Sequence, residues 1–177
     1  GLTVKEGATT DKVLLAYNNG TDSLLSDEQA RKAFRYQIDA AGIASAQPDA
    51  AGALGGPISL LEPGYEDLTG LYPHDENQAG QMFSYFGAQY LTTVNLVVPE
   101  EYRSLAETIK QQIERQPRPT VNLEVLSDED YAKRIKDGKW ELTVMSMDGT
   151  DDAGIFADPD SMFHYDHTEA QQAYADA

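Results

Sequence analysis

An α/β fold, with a mixed, mostly parallel sheet flanked by helices, is predicted by three features of this 177-residue sequence. Residues 90–98 (YLTTVNLVV) are a nearly continuous β-branched and apolar run, as expected of a central strand buried on both faces. Val121, Leu123 and Val125 alternate with Asn122 and Glu124, the period of a second strand. Helical spacing fills the intervals, so the order from Tyr90 onward is β-α-β-α-β, the pattern of a parallel core with crossover helices. Ligands of open parallel sheets sit outside the carboxyl ends of the strands. The loop expected from Asp148 onward lies at such an end and carries Asp148, Asp151, Asp152, Asp158 and Asp160.

In chain order, residues 12–17 (KVLLAY) read as a short buried strand closed by the turn Asn18-Asn19-Gly20. Ser26 is the expected N-cap of a helix, with Gln29 completing a capping box and Leu25 stapled against Ala30. Ala30, Ala33, Phe34, Ile38 and Ala41 form its apolar face, Gly42 is its expected stop, and Arg31, Lys32 and Arg35 read as a solvated opposite face. Residues 44–73 are rich in glycine and proline and show no period. They read as an ordered excursion held down by Pro57, Ile58, Leu60 and Leu61.

Asp75 opens the next helix with Gln78 at its third position. Ala79, Met82, Phe83 and Phe86 make its buried stripe, and Gly87 its stop. After the central strand, residues 100–116 form a helix with Tyr102, Leu105, Ala106, Ile109 and Ile113 inward and charges matched to its dipole. Pro117 and Pro119 end it. Ser127 then caps a helix whose inner face holds Tyr131 and Ile135, Gly138 closes it, and residues 140–147 are the last strand. Trp140 is expected in the core, and Met145 and Met147 near the strand end as core or adaptable contact surface.

The totals exclude several classes. A hydrophobic fraction of 41% marks a globular chain that needs only one core. A formal charge of −17 argues against nucleic acid as a partner, because phosphates require Lys and Arg. No apolar run reaches membrane-span length. The absence of cysteine removes disulfides and thiolate metal sites. The opening at Gly1 and the helical pattern running to the last residue read as one domain cut from a longer protein.

Taken in order, several segments resemble the second lobe of the family 5 extracellular solute-binding proteins, the peptide, dipeptide and nickel receptors of ABC importers. KVLLAYNNG followed by SDEQARKAFRYQID resembles that family's strand, Asn and helix, with Asp27, Arg31, Ala33, Ile38 and Asp39 in its pattern and Gln37 where Ala is preferred. GGPISLLEPGYED resembles its Gly/Pro-rich loop, and LYPHDENQAGQMFSYFGA its next helix, with Asn77 where Pro is usual. DEDYAKRIKDGKWELTVMSM and ADPDSMF resemble its closing motifs, with Ser146-Met147 in place of a Gly-Trp pair. The resemblance covers about residues 8–165.

It implies one lobe of a type II-like periplasmic binding protein that closes on its ligand like a hinge. It implies a peptide ligand held near Met147, Asp148, Gly149, Thr150, Asp151 and Asp152, with an aspartate of that segment pairing with the peptide's amino terminus through a charge-assisted bond. It further implies no catalysis, no cofactor, an ABC permease as partner, and an extracytoplasmic location, with the membrane reached only through a lipid anchor or the permease. An independent acidic hydrolase using aspartates at a strand end is the alternative, and a pure interaction domain docking a basic partner is a third.

Other signals are weaker. Ala153 and Pro159 break the calcium-loop pattern where Gly and Glu are required. His164, Asp166 and His167 could ligate a metal, but that spacing near a chain end reads as exposed. No GxGxxG, P-loop, G-x-S-x-G or HExxH is present.

Overall fold

The computed structural model describes residues 7–86, 93–149 and 152–176. One sheet holds four strands in the order β1-β4-β2-β3: β1 (Lys12–Tyr17), β2 (Thr93–Pro99), β3 (Thr120–Leu126) and β4 (Leu142–Met147). β2 pairs in parallel with both β3 and β4, while β1 runs antiparallel to β4, from Lys12↔Met147 to Tyr17↔Leu142. The helices are α1 (Glu28–Gln37), α2 (Ala40–Ser45), α3 (Glu76–Tyr85), α4 (Arg103–Ile113), α5 (Asp128–Lys136), α6 (Asp152–Ala157) and α7 (Thr168–Ala175). The chain leaving β3 passes β2 to reach β4, which is why the two strands joined by α5 are parallel without being neighbours.

Side-chain alternation along the strands divides the interior into two layers. Val94, Leu96, Val98, Val121, Leu142 and Val144 pack on Ala30, Ala33 and Phe34 of α1, Ala79 and Phe83 of α3, and Ala106, Ile109 and Ile113 of α4. Phe34 meets Phe83 edge-on at 5.1 Å between centroids. Val97 and Ala16 point the other way, into a smaller cluster with Trp140, Phe163, Tyr131 and Ile135 of α5, Phe156 of α6, Met145 and Met147. Fully burying each large apolar side chain contributes roughly 1.5–3 kcal/mol, so the first layer carries most of the fold. β2 is buried on both faces from Leu96 onward, as its composition predicts, whereas residues 90–92 and the expected stop at Gly87 lie outside the described residues.

Several expectations are corrected. β1 is an edge strand, not a buried one, because among the described residues only β4 pairs with it. Only Lys12 and Ala16 of its residues are buried. Asp27, not Ser26, caps α1, its carboxylate accepting from Gln29 N at 2.7 Å, while Ser26 ends a short 3-10 turn that buries Leu25. Gly42 does not stop α1. The helix ends at Gln37, and Asp39 begins α2 by accepting from Gly42 N. A 3-10 turn over Glu100–Tyr102 precedes α4, and β4 starts at Leu142, with Trp140 buried just before it. The aspartate-rich segment is not a continuous loop, since α6 forms within it.

The arginines of α1 are not merely solvated. Arg31 donates to the carbonyls of Leu25 and Ser26 and lies over the Tyr165 ring, and Arg35 donates to Gly55 O and lies over Tyr72. Both use apolar stems for packing and the guanidinium for backbone capture. Residues 44–73 are therefore tied to α1 through Gly55, where a side chain would meet the backbone of Leu68 at 2.1 Å. Pro57, Leu60 and Leu61 do not pack down as expected; Leu60 and Leu61 are 59% and 56% exposed.

Candidate ligand-binding strand end

The parallel strands β2, β3 and β4 finish at one end of the sheet. Because β1 is antiparallel, its first residue, Lys12, lies at that end opposite Met147. Met147 is half-buried against the Trp140 cluster, so it serves as core and strand-end surface together. Asp148 is exposed, and its carbonyl accepts from Thr10 Oγ1 at 2.5 Å. Gly149 has φ +82, and a Cβ there would lie 2.5 Å from Thr10 Cβ. Glycine is thus required twice over, by backbone conformation and by the approach of residue 10. Thr150 and Asp151 lie outside the described residues.

Asp152 does not face solvent. Its side chain is 4% exposed, and Oδ2 lies 2.5 Å from Lys12 Nζ. Glu62 reaches the same ammonium from the excursion, and its Oε2 also accepts from Ser59 N at 2.6 Å. The side chains of Lys12 and Glu62 are 1% and 6% exposed. Burial works against the charge on Lys12, but the bonds to Asp152 and Glu62 outweigh it and hold its pKa above the ordinary 10.5. Burial likewise opposes ionisation of Glu62, and the bonds from Lys12 and Ser59 outweigh it, keeping the carboxyl below 4.5.

Lys12 and Glu62 were not singled out by the sequence. The available signal was parity: Lys12 shares the inward face of β1 with Ala16, so an apolar residue belongs there unless distant acids supply partners. An inward charge on an edge strand also discourages pairing with another sheet.

The remaining candidates are not brought together. Asp158 Oδ1 accepts from Asp160 N in a local turn. His167 caps α7 and stacks on Tyr165, and Asp166 accepts from Gln171. With His164 and Arg31 they line a hollow of about 640 Å³ near the carboxyl end of β1, the opposite end of the sheet. Among the described residues no group of three or more His, Asp or Glu is placed to hold a metal ion, and no helix is long and apolar enough to cross a membrane.

A mostly parallel sheet with an antiparallel edge strand, covered by helices on both faces, is a fold this chain shares with solved solute-binding proteins. The fold expected from the sequence resemblance is the one observed. The oligopeptide-binding protein AppA of Bacillus subtilis, solved with a nonapeptide, superposes with a TM-score of 0.75 at 15% identity over 95% of this chain and 38% of its own. The murein tripeptide binding protein of Escherichia coli gives 0.76 at 12% identity, covering 95% of this chain and 36% of its own. AgaA of A. tumefaciens, solved with agropinic acid, gives 0.70 at 20% identity, covering 84% and 32%. The chain therefore spans well under half the length of the receptors it resembles. No protein-family model and no curated protein sequence matches it.

Proposed function

We propose that this chain is the second lobe of an ABC importer's solute-binding protein, acting as a single domain across its 177 residues without catalysis and taking oligopeptides. The observation that carries the reading is the likeness over nearly the whole chain to receptors solved with or named for peptides. The strand-end geometry supports it. Backbone groups beyond a strand end grip peptide amides irrespective of sequence, and Met147 offers adaptable apolar surface beside the exposed Asp148. Leu60 and Leu61 adjoin the pinned Glu62 and remain exposed near the same end, as contact residues would. On this reading the ligand segment is residues 147–151 with Asp152 beneath it, and the cleft is completed by a first lobe supplied by the rest of a longer chain. The protein works outside the cytoplasm, lipid-anchored or periplasmic, and delivers cargo to a permease. The agropinic acid complex of AgaA favours a second reading, the same receptor role with a small non-peptide solute.

A thermal-shift screen of the longer parent protein tests this, using di- to hexapeptides beside nickel, calcium and simple sugars. A ligand at a hundred times its Kd stabilises by about 2.7 kcal/mol, well within detection. Stabilisation by peptides supports the proposal. Stabilisation by another solute alone moves the cargo, and silence throughout sinks the receptor reading. Residues 1–177 alone present half a cleft, so a sub-micromolar peptide complex of that piece would contradict the two-lobed reading.

A further inference from the structure

Two kinds of carboxylate meet at the strand end. Asp148 is exposed, whereas Asp152 and Glu62 are enclosed around Lys12 Nζ and belong to chain segments far apart in sequence. A buried ammonium between two buried carboxylates contributes little net stability, but removing one partner strands an uncompensated charge. Its effect is geometric. Met147 and Asp148 are fixed by the Lys12↔Met147 pairing and the bond from Thr10 to Asp148 O, and Asp152 is fixed on the same Lys12. Glu62 fastens the excursion bearing Leu60 and Leu61 to the same cation.

We propose that Lys12 is an internal counter-cation that commits Asp152 and Glu62 to positioning the ligand segment, so that Asp152 is a positioning residue and not the partner of a ligand's ammonium. This rests on the reading of the strand end as the ligand site, and it removes Asp152, buried where Asp148 is exposed, from the recognition set. Lys12 already supplies the ammonium that a peptide's amino terminus would supply. The ligand amine is left to the exposed part of the segment.

Two measurements on the full-length protein decide it. The first compares a peptide that stabilises the wild type with its N-acetylated form, in wild type and Asp152→Asn. A positioning role weakens both peptides by a similar factor, leaving their affinity ratio within about twofold. A direct amine contact would be a hydrogen bond to a charged group, so its loss would collapse the ratio by about tenfold or more and overturn the proposal.

The second measurement needs no peptide. Lys12→Ala should lower the urea midpoint by about 1–2 M, the size expected for a broken buried ion cluster. Millimolar n-propylammonium, which replaces the deleted atoms, should restore part of that loss, while tetramethylammonium, too bulky for the vacated space, should not. The variant combining Lys12→Met, Glu62→Gln and Asp152→Asn should recover more than half of the loss and ignore propylammonium. If Lys12→Ala does not fold, Asp152→Asn against the triple variant gives the same comparison. A triple variant no more stable than the single ones, or a rescue that fails, overturns the counter-cation role. If no peptide stabilises the wild type, the peptide reading falls while this second arm still decides the role of Lys12.

Discussion

The interior between the sheet and helices α1, α3 and α4 and the cluster at Lys12 are both buried, yet they are held together by opposite physics. Around Phe34 the contacts are non-directional, and their stabilisation follows the apolar area removed from water. Around Lys12 three charges are enclosed whose attraction is largely spent on their own desolvation. The first region makes the domain stable. The second contributes little net energy and instead fixes where residues 12, 62 and 152 stand, at the end of the sheet proposed to hold the ligand. Apolar burial thus builds the platform, and a buried ion cluster sets the geometry of its rim.

The largest expected effect tests the first region. Phe34→Ala removes a fully buried ring and its edge contact with Phe83, and should cost about 3–5 kcal/mol in denaturant unfolding, with little change between pH 4 and 8. Lys12→Met should cost about as much at neutral pH, because two buried carboxylates lose their cation. Its penalty should shrink in acid as Glu62 protonates, and a pH-independent loss would erase the contrast between the regions.

The wild type sharpens the same point. Glu62 titrates below its ordinary 4.5 when folded, so its contribution is fully present above pH 4.5, declines below it, and is gone once pH falls through the folded value. Lys12, held above 10.5, contributes fully below that pH and loses its contribution as pH rises through the folded value. Urea midpoints of wild type and Glu62→Gln across pH 3–7 should therefore converge at the acid end.

Gly149→Ala should cost about 1–3 kcal/mol, from its positive φ and the contact with Thr10, and, if the proposed ligand segment is right, should weaken binding by displacing Asp148. The smallest effect belongs to the exposed leucines. Leu60→Ser with Leu61→Ser should change stability by under about 0.5 kcal/mol each, and a large loss would mean that the excursion packs where it is seen exposed.

Elements whose cause is local were legible. Ser127 accepts from Asp130 N, Gly138 adopts φ +66, Asp75 accepts from Gln78 N, and the β-branched run through Val98 is the central strand. Errors arose where the deciding contact was distant. Gly42 looked like a stop because a glycine follows an apolar stripe, but Gln37 and the backbone of Asp39 are engaged by Gln112 of α4, and α1 breaks there. Leu60 and Leu61 looked like anchors because apolar residues usually are, whereas the excursion is fastened by Glu62 and Gly55. At the candidate site, the sequence placed residues 147–152 at a strand end but could not separate an exposed aspartate from a buried one.

By itself, then, the sequence determined the period of each strand and helix, the caps that close them and the parallel order of the core, because these are set by residues within a few positions of one another. Only the tertiary structure decided that β1 is the antiparallel edge, that Arg31 and Arg35 capture backbone, and that Lys12 draws Glu62 and Asp152 around one ammonium. Those outcomes depend on which distant groups can satisfy a buried donor or charge, and partners 50 and 140 residues away leave no local pattern in the chain.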